Sequence, residues 1–333
     1  MEKTTTKSKK TFKEWVRSRK TQRGIVIVTF SLLPLLLLFV FTYLPFGAMI
    51  GYSFYDMGYI GTRTFIGLEN YKAIFTRPDI ISTLKLSLYY LAGAVIQIAL
   101  ALYLATILSM KVKCGNLFKG CIFFPYLING IAIGFIFKFF FTRGYVFDTI
   151  LSWFGFNMDK LPWWLRDKSI NNWTLTSTSV WRYLGQNMIL FLGAIMSVDT
   201  SLYEAATIDG ANRFQQFRYI ILPSIKTIVT LNVILAVSGS LSAFDAPFVV
   251  TGGANGTSTY FITMHNLAHT GSNPKVGLAS AMAVFLLVLI LIVTLIQKLV
   301  FKYAFRNAEV DDESQAAKKK HKKMQRLAAV KGA

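Results

Sequence analysis

Charge is scarce in this 333-residue chain: 16% of its residues are Asp, Glu, Lys or Arg, where soluble domains carry about 25%. Acids are scarcer still, 16 against 36 Lys and Arg, for a formal charge of +20. Cysteine is almost missing, with two residues, and that excludes a secreted disulfide scaffold. Cys114 and Cys121 have no histidine nearby and read as free thiols. His265 and His269 stand four apart with no carboxylate close by, so a third zinc ligand is missing and no metal is expected. What is abundant is apolar: 53% of the chain, including 28 Phe. Disorder is excluded by that content. An all-α, polytopic membrane protein remains.

A membrane-spanning helix needs about 20 mostly apolar residues to cross about 30 Å of hydrocarbon. Six segments qualify, near 25–50, 84–110, 120–142, 175–197, 226–250 and 278–301. The first apolar run is too long for a cleaved signal and lacks a small-residue cleavage site. The expected organisation is a basic tail over 1–24, a six-helix domain over 25–303 and a second basic tail over 304–333. Residues 1–24 hold nine Lys or Arg against two acids, and residues 298–333 hold ten against four. Six spans put both tails on one side. Together with Lys111, Lys113, Lys119, Arg213, Arg218 and Lys226, that side carries 25 basic residues against nine on the other. The positive-inside rule makes it the cytoplasm. The +20 charge thus reports topology, and nucleic acid is not expected as a partner. Phe12, Trp15 and Val16 are spaced for a short interfacial helix on anionic lipid, with a disordered tail as the alternative. The lysine run Lys318–Lys323 has no apolar face and reads as solvated.

Between spans four and five lies a stretch too polar to span and too rich in helix formers to be a plain loop, Leu202 to Pro223. Leu202–Ile208 suits a short helix that Gly210 would end. Phe214, Phe217 and Ile221 give a second short helix an apolar stripe, with Pro223 ending it. The stretch matches E-A-A-x3-G-x9-I-x-L-P at Glu204, Ala205, Ala206, Gly210, Ile220, Leu222 and Pro223. Average residue usage would give those seven matches on the order of once in a hundred million windows. The pattern resembles the signature of permease subunits of binding-protein-dependent ABC importers. Other segments agree with the sugar permeases of that family: Phe65–Tyr71 with F-x-G-L-E-N-Y, Phe124-Pro125-Tyr126, Trp181 and Gly185 with W-x3-G, and Phe244-Asp245 followed by Thr251-Gly252-Gly253. Ala254 stands where the family often has proline. The likeness covers about residues 25–303 and is nearest to the first permease of maltose-type or glycerol-phosphate-type systems.

The resemblance implies a type I importer permease (MetI-like) fold with a cytoplasmic coupling helix between spans four and five. It implies half of a translocation path for carbohydrate, oligosaccharide above all, in a bacterial plasma membrane. Expected partners are a second homologous permease, an ATPase dimer, an extracellular solute-binding protein and membrane lipid. Glu204, Ala205, Ala206, Asp209, Gly210, Leu222 and Pro223 would meet the ATPase. ATP and Mg would sit on that subunit. The Gly-rich run 251–259 lacks the lysine of a phosphate loop and follows a span; no cofactor is expected on this chain. No nucleophile–base or metal constellation marks an enzyme. A glycerol-phosphate importer and a stand-alone secondary transporter are the alternatives. The second would show internal repeats.

Polar groups within spans point to the substrate path. Ser238, Ser242 and Asp245 fall on one face of span five, beside a small-residue face of Ala236, Gly239 and Ala243 suited to close packing. Asp245 either accepts hydrogen bonds from sugar hydroxyls, orders an outer gate, or pairs structurally with Arg182 or backbone. Arg182, Gln186 and Asn187 follow in span four. Trp181 suits an interfacial anchor, Gln97 suits a bond between helices, and Asn129 suits such a bond or a place on the same path.

Overall fold

The computed structural model describes residues 19–110 and 112–331; side chains at 20, 21, 25 and beyond 303 lie outside the description. The predicted interfacial helix at Phe12, Trp15 and Val16 lies outside the described residues, as do Lys111 and the side chains of Lys318–Lys323.

The first span is α1 (Arg19–Leu38), a π turn (Phe39–Tyr43) and α2 (Leu44–Tyr52) in one run. The π turn lies just before Pro45, and the Leu44 amide bonds back to the Phe39 carbonyl. A proline ring clashes with the carbonyl four residues earlier, and the wider π turn relieves that clash. This span leaves its apolar surface open, with Phe30 77% and Phe41 73% exposed.

A two-residue ribbon follows, β1 (Tyr55–Asp56) against β2 (Thr64–Phe65), antiparallel with Tyr55 opposite Phe65. α3 (Glu69–Thr76) holds it. The buried Asn70 side chain donates to the Ser53 and Tyr55 carbonyls at 2.9 Å each, and the Tyr71 hydroxyl meets Ser53 Oγ at 2.7 Å. The G-L-E-N-Y segment is therefore a clasp on the ribbon.

Span two is α4 (Pro78–Leu108). Span three is broken: α5 (Gly115–Leu127) and α6 (Gly130–Phe141) meet at 98°. The continuous helix expected over 120–142 is corrected by the extended backbone at Ile128 and Asn129. α7 (Val146–Trp153) and a 3-10 turn (Met158–Lys160) lead to span four, α8 (Asn171–Met196). α9 (Thr200–Ile208), α10 (Arg213–Gln216), a second π turn (Phe217–Ile221) and α11 (Leu222–Ser224) make the predicted loop. Span five is α12 (Lys226–Leu241) with α13 (Asp245–Thr251), and α14 (Tyr260–His269) precedes the last helix, α15 (Val276–Lys331). Among the described residues four helices are long and apolar enough to cross a membrane, and the two bent pairs bring the count to six.

Lipid tails are as apolar as leucine, so these helices associate through close packing rather than escape from water. α4 and α8 form the central pair. Ala101, Ala105, Met188, Phe191, Leu192 and Ile195 are buried together with Ile221 and Ile225 of the loop. A second core joins Ile74, Ile80, Tyr260, Leu278, Ala281 and Met282. Glycine sets the closest approaches. A Cβ on Gly185 would run into the Ile122 carbonyl and Phe123 Cα of α5, and one on Gly93 into the Thr176 methyl.

Gly185→Val is expected to cost at least about 1–3 kcal/mol, the usual penalty for overpacking, because backbone rather than a flexible side chain must give. A fall in Tm of the detergent-solubilised protein by several degrees checks it. Gly193→Ala, with open space around its Cβ, should leave Tm within about 2 °C by the same measurement, as for most surface changes.

Candidate functional site

Two polar constructions stand out: the loop after α8 and a cavity beside its other end.

α8 turns through 72° into α9. Asp199 caps α9, its Oδ1 accepting the Ser201 amide at 2.9 Å. That bond stabilises the ionised form and holds the Asp199 carboxyl below the ordinary carboxylate range. Gly210 ends the helix at φ +77°, a value costly for any side-chain-bearing residue. The Ala211 amide bonds to the Ala206 carbonyl at 2.8 Å and the Gly210 amide to Thr207 at 3.1 Å, which is the Schellman ending. Asn212 starts the next helix at once. Its side chain accepts the Gln215 amide at 2.9 Å while Gln215 Oε1 accepts the Asn212 amide at 2.8 Å, a complete capping box. Gln216 Nε2 then ties back to Thr207 Oγ1 at 3.1 Å. The two short helices are thereby fixed as a unit.

The unit has two faces. Phe217, Ile221 and Tyr203 seat it on the α4–α8 core. Burial there pushes the Tyr203 hydroxyl above its ordinary pKa. Glu204, Ala205, Asp209, Ile208 and Phe214 face outward, with Ile208 86% exposed. Leu222 and Pro223 are half-buried at its exit. Pro223 does not end the second helix, contrary to the expectation. It follows the π turn, where the Leu222 amide reaches the Phe217 carbonyl, and helix resumes through Ser224. The caps at Asp199, Asn212 and Gln215 escaped the sequence reading, although the N-x-x-Q spacing at 212–215 is a legible capping signal.

The cavity, ≈ 320 Å³, lies between α4, α8 and the two halves of span five, with Gly130 at its edge. Tyr90 and Gln97 line it from α4, and Thr176, Arg182, Tyr183, Gln186 and Asn187 from α8. Ser240, Ser242 and Asp245 complete it. Arg182 Nη1 donates to Asp245 Oδ2 at 2.8 Å, and its guanidinium lies over the Tyr183 ring at 5.1 Å. The pair crosses Gly130, where a Cβ would strike both Asp245 Oδ2 and Arg182 Nη1.

Five predicted residues thus meet here: Arg182, Gln186, Asn187, Ser242 and Asp245. Two do not. Ser238 is absent from the lining, and Ser240 takes its place, because span five breaks at Ser242–Phe244 and the helical register does not carry through. Asn129 instead caps α6, accepting the Ile131 amide at 2.9 Å. Ala236, Gly239 and Ala243 line the cavity rather than a tight contact, and nothing lies within 4 Å of a Cβ on Gly239. Small residues here make room. Gln97 also lines the cavity. Tyr90, Thr176, Tyr183 and Gly130 were missed. The α8 stripe at 176, 179, 183 and 186 has helical spacing and was the available signal. Trp181 lies edge-on to Phe137 at 5.2 Å. His265 and His269 stack at 4.6 Å, and among the described residues no group of three His, Cys, Asp or Glu is placed to hold a metal ion.

The model of the binding-protein-dependent transport system inner membrane components matches residues 97–303, which takes in the loop and the cavity lining from Gln97 onward. The chain belongs to this family. It is 30% identical to the probable starch degradation products transport system permease AmyD of Thermoanaerobacterium thermosulfurigenes, over 80% of this chain and 91% of that one. It is also 30% identical to the multiple sugar-binding transport system permease MsmF of Streptococcus mutans, over 78% and 89%. Among solved structures, a bacterial ABC transporter involved in import of the acidic polysaccharide alginate superposes with a TM-score of 0.72 at 20% identity, covering 86% of this chain and 98% of that one. The permease is a multi-pass membrane protein with the fold of an ABC importer permease.

Asn212→Ala removes the side-chain half of the capping box, the acceptor of the Gln215 amide, and leaves the backbone amide at 212 to bond Gln215 Oε1. It is expected to cost the loop about 1 kcal/mol, read as roughly fivefold faster amide hydrogen exchange over residues 213–216 with α8 unchanged. The Asp199 cap responds to pH: its depressed pKa makes its stabilisation full above the ordinary carboxylate range and lost as pH falls through the folded value. Exchange over 200–203 should therefore gain a cap-loss component only in acid, and Asp199→Ala should remove that component.

Proposed function

We propose that this permease forms half of the translocation path of an ATP-driven importer of carbohydrate, oligosaccharide above all, and takes its driving force from a separate ATPase through the Leu202–Pro223 loop. The loop's build is the observation that carries this reading. Two helices are locked to each other by the Schellman ending, the capping box and the Gln216 tie. They are seated on the spanning core by Phe217 and Ile221, and their outer face is left open. A body of this kind passes on a push without absorbing it.

In this reading Glu204 meets a cationic or hydrogen-bonding group of the ATPase. Ala205 and Ala206 keep the contact close, and Asp209 and Gly210 shape the turn. ATP and Mg belong to the ATPase dimer. A second, homologous permease completes the path, and a solute-binding protein delivers the sugar from outside. In this reading the Leu202–Pro223 face and both termini lie in the cytoplasm of a bacterial cell, which the basic loops and tails support. The names of the relatives, which refer to starch degradation products and to multiple sugars, support carbohydrate as the cargo. So does a cavity lined by Tyr90, Tyr183, Gln97, Gln186 and Asn187. Aromatic faces and neutral amides suit the faces and hydroxyls of sugar rings.

Gly210→Pro tests the coupling. Proline holds φ near −65° where this turn needs +77°, and it removes the amide that bonds to Thr207. Uptake by the complete transporter should fall at least a hundredfold while the protein still inserts in the membrane. Normal uptake by this variant would count against the reading.

A further inference from the structure

The cavity contains one cation and one anion, Arg182 and Asp245, and they are bonded to each other at 2.8 Å. An arginine without a carboxylate partner in such a place is an anion site. This one has its partner. Its Nη1 is on Asp245 Oδ2, its plane lies over Tyr183, and its side chain is only 16% exposed. The carboxylate partner is more open, at 49%, and among the described residues its Oδ1 accepts no hydrogen bond. What the cavity offers a solute is therefore the free oxygen of a carboxylate, backed by a guanidinium that cancels its charge. The remaining polar lining includes the neutral Gln97, Gln186, Asn187 and Ser242.

We propose that the Arg182–Asp245 pair is a charge filter that admits neutral saccharides to this cavity and turns away saccharides bearing carboxylate or phosphate. This rests on the carbohydrate reading above. A hydroxyl donates to Asp245 Oδ1 without disturbing the pair. A carboxylate has no such option. It gains only the donors that Arg182 has left, since Nη1 is on Asp245, and it must lie beside an oxygen of its own sign or displace Asp245 from Arg182. The pair is pre-set rather than chosen by the ligand. Gly130 leaves the space it occupies, since any Cβ there would meet both partners. Arg182 comes from α8 and Asp245 from the first residue of α13, so the filter also pins the two elements that bound the cavity.

In this reading the solute-binding protein chooses cargo first, so the test bypasses it. The assembled transporter without its binding protein is titrated with three trisaccharides, one of glucose, one of galacturonate and one of glucosamine, with binding followed by saturation-transfer NMR. The native transporter should bind the glucose trisaccharide at least tenfold more tightly than the galacturonate one. Asp245→Asn keeps the shape and frees the cation, and should lower or invert that ratio by at least tenfold. Arg182→Gln leaves the carboxylate unpaired, and should shift preference at least tenfold toward the cationic glucosamine trisaccharide. It stands in should Asp245→Asn fail to fold. If the glucose trisaccharide binds but neither variant moves the ratios, the pair is a structural tie and the filter is wrong. If no trisaccharide binds and none is taken up by the full system, the carbohydrate reading itself falls.

Discussion

Inside a bilayer a backbone amide or carbonyl has no water to turn to, so irregular chain is tolerated only where protein or a cavity receives it. This permease breaks two of its spans and brings the breaks together. The first is Ile128–Asn129, closed by the Asn129 side chain on the Ile131 amide. The second is Ser242–Phe244, and its cause is Pro247. That ring has no N–H to give the Ala243 carbonyl and clashes with it. The Thr259 hydroxyl bonds to Ala243 instead, at 2.6 Å. Each break thus starts a new helix, α6 and α13, with Gly130 of one against Asp245 of the other. The space left by the interrupted helices is the polar cavity, and the backbone constraint has decided where it can be.

Pro34 and Pro125 lie inside unbroken helices, but at three other prolines one physical effect has two outcomes. Pro45 and Pro223 each follow a π turn, where the chain widens to spare the carbonyl four residues back and carries on as helix. Pro247 lies where no widening occurs, and the helix breaks. At Pro223 helix resumes through Ser224, and the single residue Ile225 leads into span five. At Pro247 the break gives span five its corner. Both outcomes follow from the one missing N–H and its ring clash, and they differ in whether the chain widens.

The spans were legible because apolar runs of that length have almost no place in a soluble chain, and the loop because seven fixed positions coincide. The ion pair was visible as one alternative among several: sequence spacing puts Asp245 on a face, but only packing says which helix meets it. What was not legible followed from breaks. A continuous span five puts Ser238 on the face of Asp245; the interruption at Ser242 dissolves that register and brings in Ser240. Span three looked continuous because its flanks are uniformly apolar. Yet Asn129-Gly130 is a dipeptide that favours turns, and it was the one local signal for the corner. The small residues of span five misled for a related reason. Ala236, Gly239 and Ala243 permit either close approach or open space, and their sequence is the same in both cases.

One helix connects the two constructions. α8 carries Thr176, Arg182 and Asn187 toward the cavity, then Phe191, Leu192 and Ile195 in the core, and passes through Asp199 into α9. The loop comes back to that core through Ile221 and Ile225. A force on the outer face of α9 therefore reaches α8 twice, once through the chain at Asp199 and once through packed side chains. Interiors at crystal-like density move as blocks rather than deform. Gly185 sharpens this, since α8 rests there directly on the backbone of α5, the half of span three that ends at the corner. Moving α8 relative to α13 must strain or break the Arg182–Asp245 bond. Any state of the permease in which those helices separate parts the cation from the anion that the present state keeps bonded.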